Sequence, residues 1–314
     1  MDIYESLSEI LLIDEHELID YIRRAPYKYK VYQIPKRNNR GKRTIAQPAR
    51  ELKVFQQIAL DHSLLKLPIH DAAFAYRDGV GIKQNAERHS KNQFLLKMDF
   101  ENFFPSILDQ NLIDHIEKHH EKISERDSSA IKNLFFWRIK GETQSRLSIG
   151  APSSPFISNT LLFEFDEVIS SICDSMDVTY TRYADDLTFT TNQQDILSKI
   201  PSIVESTLAS ISTPRLIINH QKTVFSSKKS NRHVTGLVIS NDDKVSLGRK
   251  RKRYIRSLVF KFDKKELSNE ESLHLKGLIG FSKNIEPSFH LSLVKKYTHD
   301  LIRKIEKFEV VSDD

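Results

Sequence analysis

The 314-residue sequence has one cysteine, no internal repeat and no long apolar run. With Cys173 alone, neither a disulfide framework nor a thiolate zinc site can be built from this chain. No stretch reaches the roughly 18 apolar residues that a membrane-spanning helix needs, so we expect no membrane partner. The segment MDIYESLSEILL carries acids where a secretory signal peptide would carry bases, so we expect a cytoplasmic protein.

Apolar residues make up 39% of the chain and aromatic residues 9%, which excludes wholesale disorder. A chain of this length buries more than one core, so we expect two or three subdomains. The net charge is +6, and cations gather in the segments 36–43 and 228–256. Both segments would attract phosphate-rich partners, and a solvated basic surface is the alternative explanation.

Apolar periodicity predicts helices, then a hairpin, then strands alternating with helices, and finally helices alone. YKVYQIPKRNNRGKRTIAQP, residues 29–48, alternates around a basic turn and predicts the hairpin. QFLLKMDF, residues 93–100, predicts a buried strand, and apolar spacing over 157–172 predicts one buried helix. Short strands are expected around RLIIN (215–219) and HVTGLVIS (233–240). This order indicates a central α+β sheet flanked by two helical or basic lobes.

Two adjacent aspartates lie between strand-like runs in RYADDLTFT, residues 182–190. This pattern places Asp185 and Asp186 at or next to the tip of a β-hairpin. A simple turn role is one explanation, because aspartate side chains bond nearby backbone groups. Asp99 supplies a third carboxylate at the end of an apolar strand, where a helix cap is the simple alternative.

The three carboxylates converge if their strands pair in one sheet. Like charges so close repel each other unless one carboxylate is protonated or a cation intervenes. Mg²⁺ suits such a site, because it takes oxygen ligands and keeps positions open for water and phosphate oxygens. Two Mg²⁺ ions about 3.5 to 4 Å apart would activate an attacking hydroxyl and stabilise a leaving pyrophosphate.

Three motifs in this order resemble the catalytic core of reverse transcriptases: FLLKMDFENFFPSI (94–107), GAPSSPFISN (150–159) and YADD (183–186). The resemblance covers about residues 30 to 240. Within that family, NAERH (85–89) and VTG (234–236) resemble the retron branch. The resemblance implies an α+β right-hand polymerase that copies RNA into DNA, with fingers, a palm of antiparallel sheet packed on helices, and a helical thumb.

This resemblance also implies five segments along the chain. They are the N-terminal helices and fingers at 1–92, the first catalytic palm strand at 93–108, a helical insertion of fingers and palm at 109–148, the rest of the palm at 149–240, and an RNA-binding thumb at 241–314.

The family's catalytic roles carry over to matching positions. The resemblance implies that Asp99 and Asp185 hold both ions, that Asp186 completes the acidic cluster, and that Phe100 belongs to the metal-binding set. Lys222, in LIINHQKT, matches the lysine proposed to protonate the leaving pyrophosphate. An ordinary surface lysine is the alternative.

Nucleotide-binding roles carry over in the same way. Arg43 matches the fingers arginine that grips the triphosphate, a task suited to its forked donors, and Lys36 or Arg37 would assist. Phe104, five positions beyond Asp99, matches the aromatic gate that disfavours a ribose 2′-hydroxyl; a core aromatic is the alternative.

Gly150 and Ala151 would let the backbone approach the nucleotide and template closely. The family usually has proline and glutamine directly before this glycine, whereas this chain has Ser148 and Ile149. The departure puts template or nucleotide contacts at that spot in doubt.

RNA-binding residues are expected in two places. GRKRKRYIRSLVFKF predicts an amphipathic helix whose Arg249, Lys250 and Arg253 would track a duplex backbone. Asn85 and His89 of NAERH would contribute as well, with a buried, hydrogen-bonded histidine as the alternative.

The retron resemblance implies synthesis of branched, RNA-linked single-stranded DNA (msDNA) from a cognate noncoding RNA, primed from a guanosine 2′-hydroxyl. Expected partners are that RNA and its msDNA product, deoxynucleoside triphosphates, and a separate effector protein in an anti-phage defence system. Because no segment remains for an RNase H domain, a host RNase H would trim the template.

Three other functions remain open from the sequence. The first is a reverse transcriptase of the group II intron or diversity-generating type. The second is a palm-like nucleotidyl cyclase, which would need neither a basic thumb nor a fingers hairpin. The third is a catalytically silent RNA-binding protein.

Overall fold

The computed structural model describes residues 2–36, 41–61, 65–120, 122–211 and 213–310. The chain divides into two compact units, and helices and antiparallel sheets are mixed along it, which confirms the α+β class. Unit 1 comprises residues 1–79 and 96–225, and unit 2 comprises residues 80–95 and 226–314. The bounds of the five predicted segments stay predictions.

Unit 1 contains the N-terminal helices, the hairpin and the helices that precede the YADD motif. Its elements are α1 (Ile3–Leu11), α2 (Glu15–Arg24), β1 (Tyr29–Pro35), β2 (Lys42–Pro48), α3 (Arg50–Asp61), α5 (Phe103–Ser106), α6 (Asp109–His119), α7 (Glu125–Phe135), β4 (Trp137–Arg138), β5 (Ser145–Arg146), α8 (Ser154–Leu161), α9 (Phe163–Ser175), β6 (Thr179–Tyr183), β7 (Asp186–Thr191) and α10 (Ile200–Ser210). Short 3-10 turns cover Ala25–Tyr27, Ile196–Lys199 and His220–Lys222.

Unit 2 contains one short helix, a small sheet and four C-terminal helices among its described residues. Its elements are α4 (Ile82–Arg88), β9 (Arg232–Val234), β10 (Leu237–Ile239), β11 (Val245–Ser246), α11 (Arg249–Asp263), α12 (Asn269–Ile285), α13 (Pro287–Tyr297) and α14 (His299–Glu306). Two further strands, β3 (Phe94–Asp99) and β8 (Val224–Ser227), have residues in both units.

The predicted hairpin is confirmed. Strands β1 and β2 pair antiparallel from Tyr29 opposite Pro48 to Pro35 opposite Lys42. The residues between the strands, 37–40, lie outside the described residues, so the predicted role of Arg37 stays a prediction. Almost all of β1 and the first half of β2 are exposed, so the basic end of the hairpin is open to a ligand.

A four-stranded sheet holds the motifs that carry the acids. Its strand order is β6-β7-β3-β8, so the YADD hairpin is hydrogen-bonded to the strand that ends in Asp99. Strands β6 and β7 pair antiparallel, with Tyr183 opposite Asp186 as the last pair before the turn. The predicted strands over 93–100 and 178–190 are therefore confirmed.

Two predictions of local structure were wrong. The segment 215–219 is no strand: Ile218 forms one isolated bridge with Phe100, because its backbone bonds go to the residues around Asp99. The single helix predicted over 157–172 is two helices, α8 and α9, separated at Leu162. Leu162 has φ −94° and ψ 10°, outside the helical geometry on either side.

The core of unit 2 confirms the predicted inner face of the basic helix. Ile255, Leu258 and Val259 of α11 are buried in one apolar cluster, and Phe262 packs against it half-buried. The same cluster takes in residues of α4, β9, β10, α12, α13 and α14. The charged residues of α11 are thereby left to the opposite face, as its periodicity requires.

The lengths of the helices can be compared with the length that a membrane-spanning helix needs. Over the described ranges the longest helix is α12, with 17 residues. A bilayer span needs about 20 apolar residues. No helix in those ranges is both long enough and apolar enough to cross a membrane.

Candidate active site

The YADD turn is tight and holds one residue in an uncommon conformation. Ala184 has φ 57°, in the left-handed region that residues other than glycine rarely occupy. Asp185 follows it in the turn, and Asp186 opens β7. Both aspartates are half-buried. The sequence therefore folds here so that two carboxylates are fixed at the end of a buried sheet.

Asp99 lies at the same end of the sheet. It closes β3 with only 6% of its surface exposed. The next residue, Phe100, donates its backbone N–H to the carbonyl oxygen of Asp185 at 3.1 Å, and the Asp99 carbonyl accepts from the N–H of Asn219 at 2.7 Å. The three predicted acids are thus brought together on neighbouring strands.

Burial and mutual repulsion make two of these carboxylates, Asp99 and Asp185, hard to ionise. Burial, together with the charges of Asp99 and Asp186, raises the pKa of Asp185 to about 6. Burial also raises the pKa of Asp99, against the opposing effect of Lys222. A cation between these groups would relieve the repulsion, because it favours their charged forms.

Lys222 already supplies one such cation. Its Nζ donates to both carboxylate oxygens of Asp99, at 2.7 and 2.8 Å. The lysine side chain is 53% exposed, while the Asp99 side chain is 9% exposed, so the ion pair lies at the mouth of the site. The structure therefore places Lys222 with the acids, and not on an unrelated surface.

The acids fit divalent metal ions in ligand type and charge. They offer oxygen ligands only, and Asp99 already attracts an ammonium group, as expected of a site that prefers a positive charge. Within the part of the chain that the structure describes, no three His, Cys, Asp or Glu side chains are grouped closely enough to hold one metal ion. The predicted ligand set of Asp99, Asp185, Asp186 and Phe100 therefore stays a prediction.

The two predicted phenylalanines have different surroundings. Phe100 is 2% exposed and stacks on Phe103 with ring centroids 5.6 Å apart, so only its backbone could serve a metal. Phe104 lies on the short helix α5, half-buried, with its ring 5.3 Å from that of Phe103. Phe104 thus has the free surface that a gate residue needs, and Phe100 has the packing of a core residue.

The loop that contains Gly150 contacts strand β2, which carries Arg43. The N–H of Ala46 donates to the carbonyl of Ile149 at 3.2 Å. Gly150 has φ 126°, and a Cβ there would lie 3.4 Å from the carbonyl oxygen of Ala46, so a larger residue would be strained. Ala151 is buried. The hydrogen bond between Ala46 and Ile149 joins backbone atoms only. It therefore does not depend on the isoleucine side chain that stands where the family usually has glutamine.

Arg43 and Lys36 are both exposed at the basic end of the hairpin. Neither makes an ion pair with a carboxylate in the described ranges. Their positive charges are therefore available to an anionic ligand such as a triphosphate.

The prediction that Asn85 and His89 touch RNA is wrong for the fold described. Both side chains are 0% exposed, within unit 2. Burial lowers the pKa of His89 to about 3, so the ring is neutral at physiological pH. The alternative of a buried histidine is the one that the structure confirms.

Arg249, Lys250 and Arg253 lie on the first turns of α11 and are all exposed. None of them makes an ion pair with a carboxylate of the described chain, in contrast to Lys252, which bonds Glu286 at 2.5 Å. The three remain available to bind phosphates.

Residues that the sequence did not single out lie directly behind the catalytic turn. Arg182 is 0% exposed, and its Nε and Nη2 donate to the carboxylate of Asp166, Nη2 at 2.6 Å. Its Nη1 donates to Asn159 Oδ1 at 3.0 Å and to the Ala184 carbonyl at 3.3 Å. Asn159 donates in turn to the Ala75 carbonyl at 2.8 Å. No local signal marks Arg182 as buried, because it lies in the polar and aromatic run TYTRY.

Comparison with known proteins now decides the family. The family model described as reverse transcriptase (RNA-dependent DNA polymerase) matches residues 34–239. The chain is also 48% identical over 282 residues to the Retron Ec83 reverse transcriptase of Escherichia coli, covering 89% of this chain and 90% of that protein. This chain belongs to the retron reverse transcriptases.

Two further comparisons agree with that assignment. This retron reverse transcriptase is 32% identical over 292 residues to the Retron Ec73 reverse transcriptase of Escherichia coli, covering 89% and 90% of the two chains. A solved telomerase from Candida albicans, in complex with a fragment of telomeric RNA, shares the fold at a TM-score of 0.51 and 10% identity, over 90% of this chain and 66% of that one. The expected α+β polymerase fold is confirmed.

The retron reverse transcriptase is an RNA-directed DNA polymerase. Enzymes of this family copy an RNA template with deoxynucleoside triphosphates and use divalent metal ions. Asp99 lies on the strand next to the one that Asp186 opens, and the catalytic role of Asp99, Asp185 and Asp186 stays a prediction.

Asp185→Asn should stabilise the metal-free protein at neutral pH, because it removes a charge that burial and two carboxylates disfavour. The folded-state pKa of about 6 lies above the usual 3.8, so protonation of Asp185 favours the folded state. This contribution to stability is fully present below pH 3.8 and is lost as the pH rises through about 6. We expect a gain of about 1–3 kcal/mol in the free energy of unfolding near pH 7.5, vanishing near pH 4.

Urea titrations in EDTA at the two pH values would measure this gain. Glu101→Gln, which neutralises an exposed acid next to the same strand, is the matched control and should stay within about 0.5 kcal/mol of the unmodified protein. An equal gain at both pH values would contradict the raised pKa of Asp185.

Proposed function

We propose that this enzyme makes branched, RNA-linked single-stranded DNA from a cognate noncoding RNA, starting at a guanosine 2′-hydroxyl. The observation that carries the proposal is the 48% identity to a retron reverse transcriptase across 89% of the chain. The placement of Asp99 beside the YADD turn supports the polymerase part of the proposal.

We further propose that Asp99, Asp185 and Asp186, with the Phe100 backbone, hold two Mg²⁺ ions. When bound, such ions lower the pKa of an attacking hydroxyl and stabilise a leaving pyrophosphate. The protein's own part is to keep these acids at one end of the sheet, where burial disfavours the charged forms of Asp99 and Asp185 until a cation is present.

Lys222 and Arg43 have proposed roles at the triphosphate. The Nζ of Lys222, which donates to Asp99, would give a proton to the leaving pyrophosphate oxygen, and its position beside one of the three acids supports this role. The exposed guanidinium of Arg43, assisted by Lys36, binds the triphosphate through its forked donors. Gly150 and Ala151 would let the backbone approach the nucleotide and template closely, and the lack of a Cβ at Gly150 already lets this loop approach the backbone of β2.

The proposed partners follow from the retron assignment. The exposed cations of α11 bind the RNA backbone, with Arg249, Lys250 and Arg253 as the contacts. A host RNase H trims the template, and a separate effector protein completes an anti-phage defence system in the cytoplasm. These partners are proposals that rest on the family assignment.

Co-expression with the noncoding RNA encoded beside the gene tests the proposal directly. We expect a small branched DNA that shifts in size after ribonuclease treatment and is absent from the Asp185→Asn, Asp186→Asn double variant. Extension of ordinary primed RNA without any branched species would refute 2′-hydroxyl priming and leave the polymerase activity standing. Branched DNA from the double variant would refute the role of these acids.

Phe104→Ala should admit ribonucleotides, because removal of the ring opens the space that a 2′-hydroxyl would occupy. We expect the preference for deoxynucleotides over ribonucleotides, measured as a ratio of kcat/KM, to fall by about tenfold or more. Phe104→Tyr keeps the ring and should keep the preference. Unchanged sugar selectivity in Phe104→Ala would return this residue to a packing role.

Neutralising Arg249, Lys250 and Arg253 to glutamine should flatten the salt dependence of RNA binding. The slope of log affinity against log salt should fall by about 0.7–0.9 for each lost phosphate contact. A triple glutamine variant of Lys295, Lys304 and Lys307, exposed in the same unit, removes equal charge and serves as the control. Equal slopes for the two triple variants would contradict a specific role for α11.

A further inference from the structure

Tyr76 combines an uncommon backbone conformation with an exposed ring. Its φ is 60°, in the left-handed region, where a bulky residue is a genuine outlier. The residue is 52% exposed, and no aromatic ring of the described chain stacks on it. A strained residue of this kind persists only where the surroundings fix it, and such residues cluster at functional sites.

The backbone on both sides of Tyr76 is firmly held. Ala72 and Phe74 exchange backbone hydrogen bonds with Arg182, at 2.7 and 2.8 Å, so the segment runs beside strand β6. Arg77 Nη1 lies 3.2 Å from the carbonyl oxygens of His70, Asp71 and Ala73 and donates to them. The conformation of Tyr76 is thus imposed by the hydrogen bonds of its neighbours.

One buried pair of side chains connects this segment to the catalytic turn. Asn159 Nδ2 donates to the carbonyl of Ala75, and Arg182 Nη1 donates to the carbonyl of Ala184 and to Asn159 Oδ1. These two carbonyls belong to the residues directly before Tyr76 and Asp185. Asn159 and Arg182 therefore fix two turns, each with one left-handed residue, relative to one another.

The contacts of Asn159 and Arg182 bring the turn that contains Tyr76 next to the turn that contains Asp185. Burial, the charge of Asp185 and the neighbouring Tyr183 all raise the pKa of the Tyr76 phenol, so the phenol remains protonated at physiological pH. More than half of the residue still faces solvent. An open aromatic surface beside a catalytic carboxylate is suited to a flat ligand, and every nucleobase has a π-face that can stack on it.

We propose that Tyr76 is a nucleobase-contacting residue of the active site, whose exposed ring stacks on the base held next to Asp185. Asn159 and Arg182 are the positioning residues that hold this ring and the carboxylate at a fixed separation. Stacking is tolerant of sequence, which suits a polymerase that must accept all four bases. The inference rests on the polymerase activity in the proposed function, and not on the branched product.

Paired substitutions separate the ring from the backbone. Tyr76→Asn removes the ring with a residue that tolerates the left-handed conformation, whereas Tyr76→Phe keeps the ring. KM for a deoxynucleoside triphosphate, KM for a primed RNA template and the unfolding temperature are measured for each. Tyr27→Asn, at a tyrosine that is 55% exposed elsewhere in unit 1, is the control and should match the unmodified enzyme.

We expect Tyr76→Asn to raise one of the two KM values by about tenfold or more, without a lower unfolding temperature, and Tyr76→Phe to stay within about twofold. A raised KM for the triphosphate identifies the stacked base as that of the incoming nucleotide. A raised KM for the primed template identifies it as a base of the nucleic acid. Unchanged KM values, or a lower unfolding temperature with both KM values unchanged, would overturn the proposal.

A double-mutant cycle tests the positioning residues. Asn159→Ala should raise the same KM as Tyr76→Asn, and the double variant should show less than the product of the two effects, because both act through one ring. Fully multiplicative effects would show that Asn159 does not act through Tyr76.

The outcomes also separate this inference from the proposed function. An enzyme that extends primed RNA but makes no branched DNA leaves the Tyr76 measurements intact. For an enzyme without turnover, fluorescence anisotropy of a labelled primed template compares Tyr76→Asn with Tyr76→Phe directly. Equal affinities there, together with equal affinities for the triphosphate, would overturn the stacking role.

Discussion

The repulsion among three carboxylates at one end of a buried sheet is the constraint on which the site depends. Asp99, Asp185 and Asp186 lie at the ends of two neighbouring strands, and burial makes the negative charges of Asp99 and Asp185 costly. The fold offsets part of this cost with the ammonium of Lys222, which forms an ion pair with Asp99. The charge left on Asp185 is not neutralised by any ion pair of the described chain, which is the electrostatic condition for taking up cations.

Polar contacts with buried side chains hold the YADD turn from behind. Arg182 and Asp166 form a fully buried ion pair, a type that contributes little net stability because both charges lose their hydration. Removal of either partner alone would leave an uncompensated charge in the core. The remaining donors of Arg182 reach Asn159 and the Ala184 carbonyl, so the same guanidinium that completes the core also shapes the turn.

Local patterns were sufficient for the hairpin, the acid-bearing strands and the inner face of α11, because period-2 and helical spacing report which face is buried. The meeting of Asp99 with Asp185 followed from the family resemblance. The buried contacts of Arg182 with Asp166 and Asn159 were out of reach, since they join residues on α8, α9 and β6 through tertiary packing. The strand prediction for residues 215–219 failed for a related reason: the segment has a short apolar run, but its backbone partners are the few residues around Asp99.

His89 of the NAERH motif is buried in unit 2, although the motif was expected to contact RNA. An imidazole that solvent cannot reach cannot contact RNA in this fold, so His89 serves the scaffold of unit 2, whereas Glu87 and Arg88 of the same motif are exposed. Exposed side chains of this kind tolerate replacement without loss of the core. Two enzymes could therefore keep Asn85 and His89 unchanged and still differ in the surface that unit 2 presents to solvent.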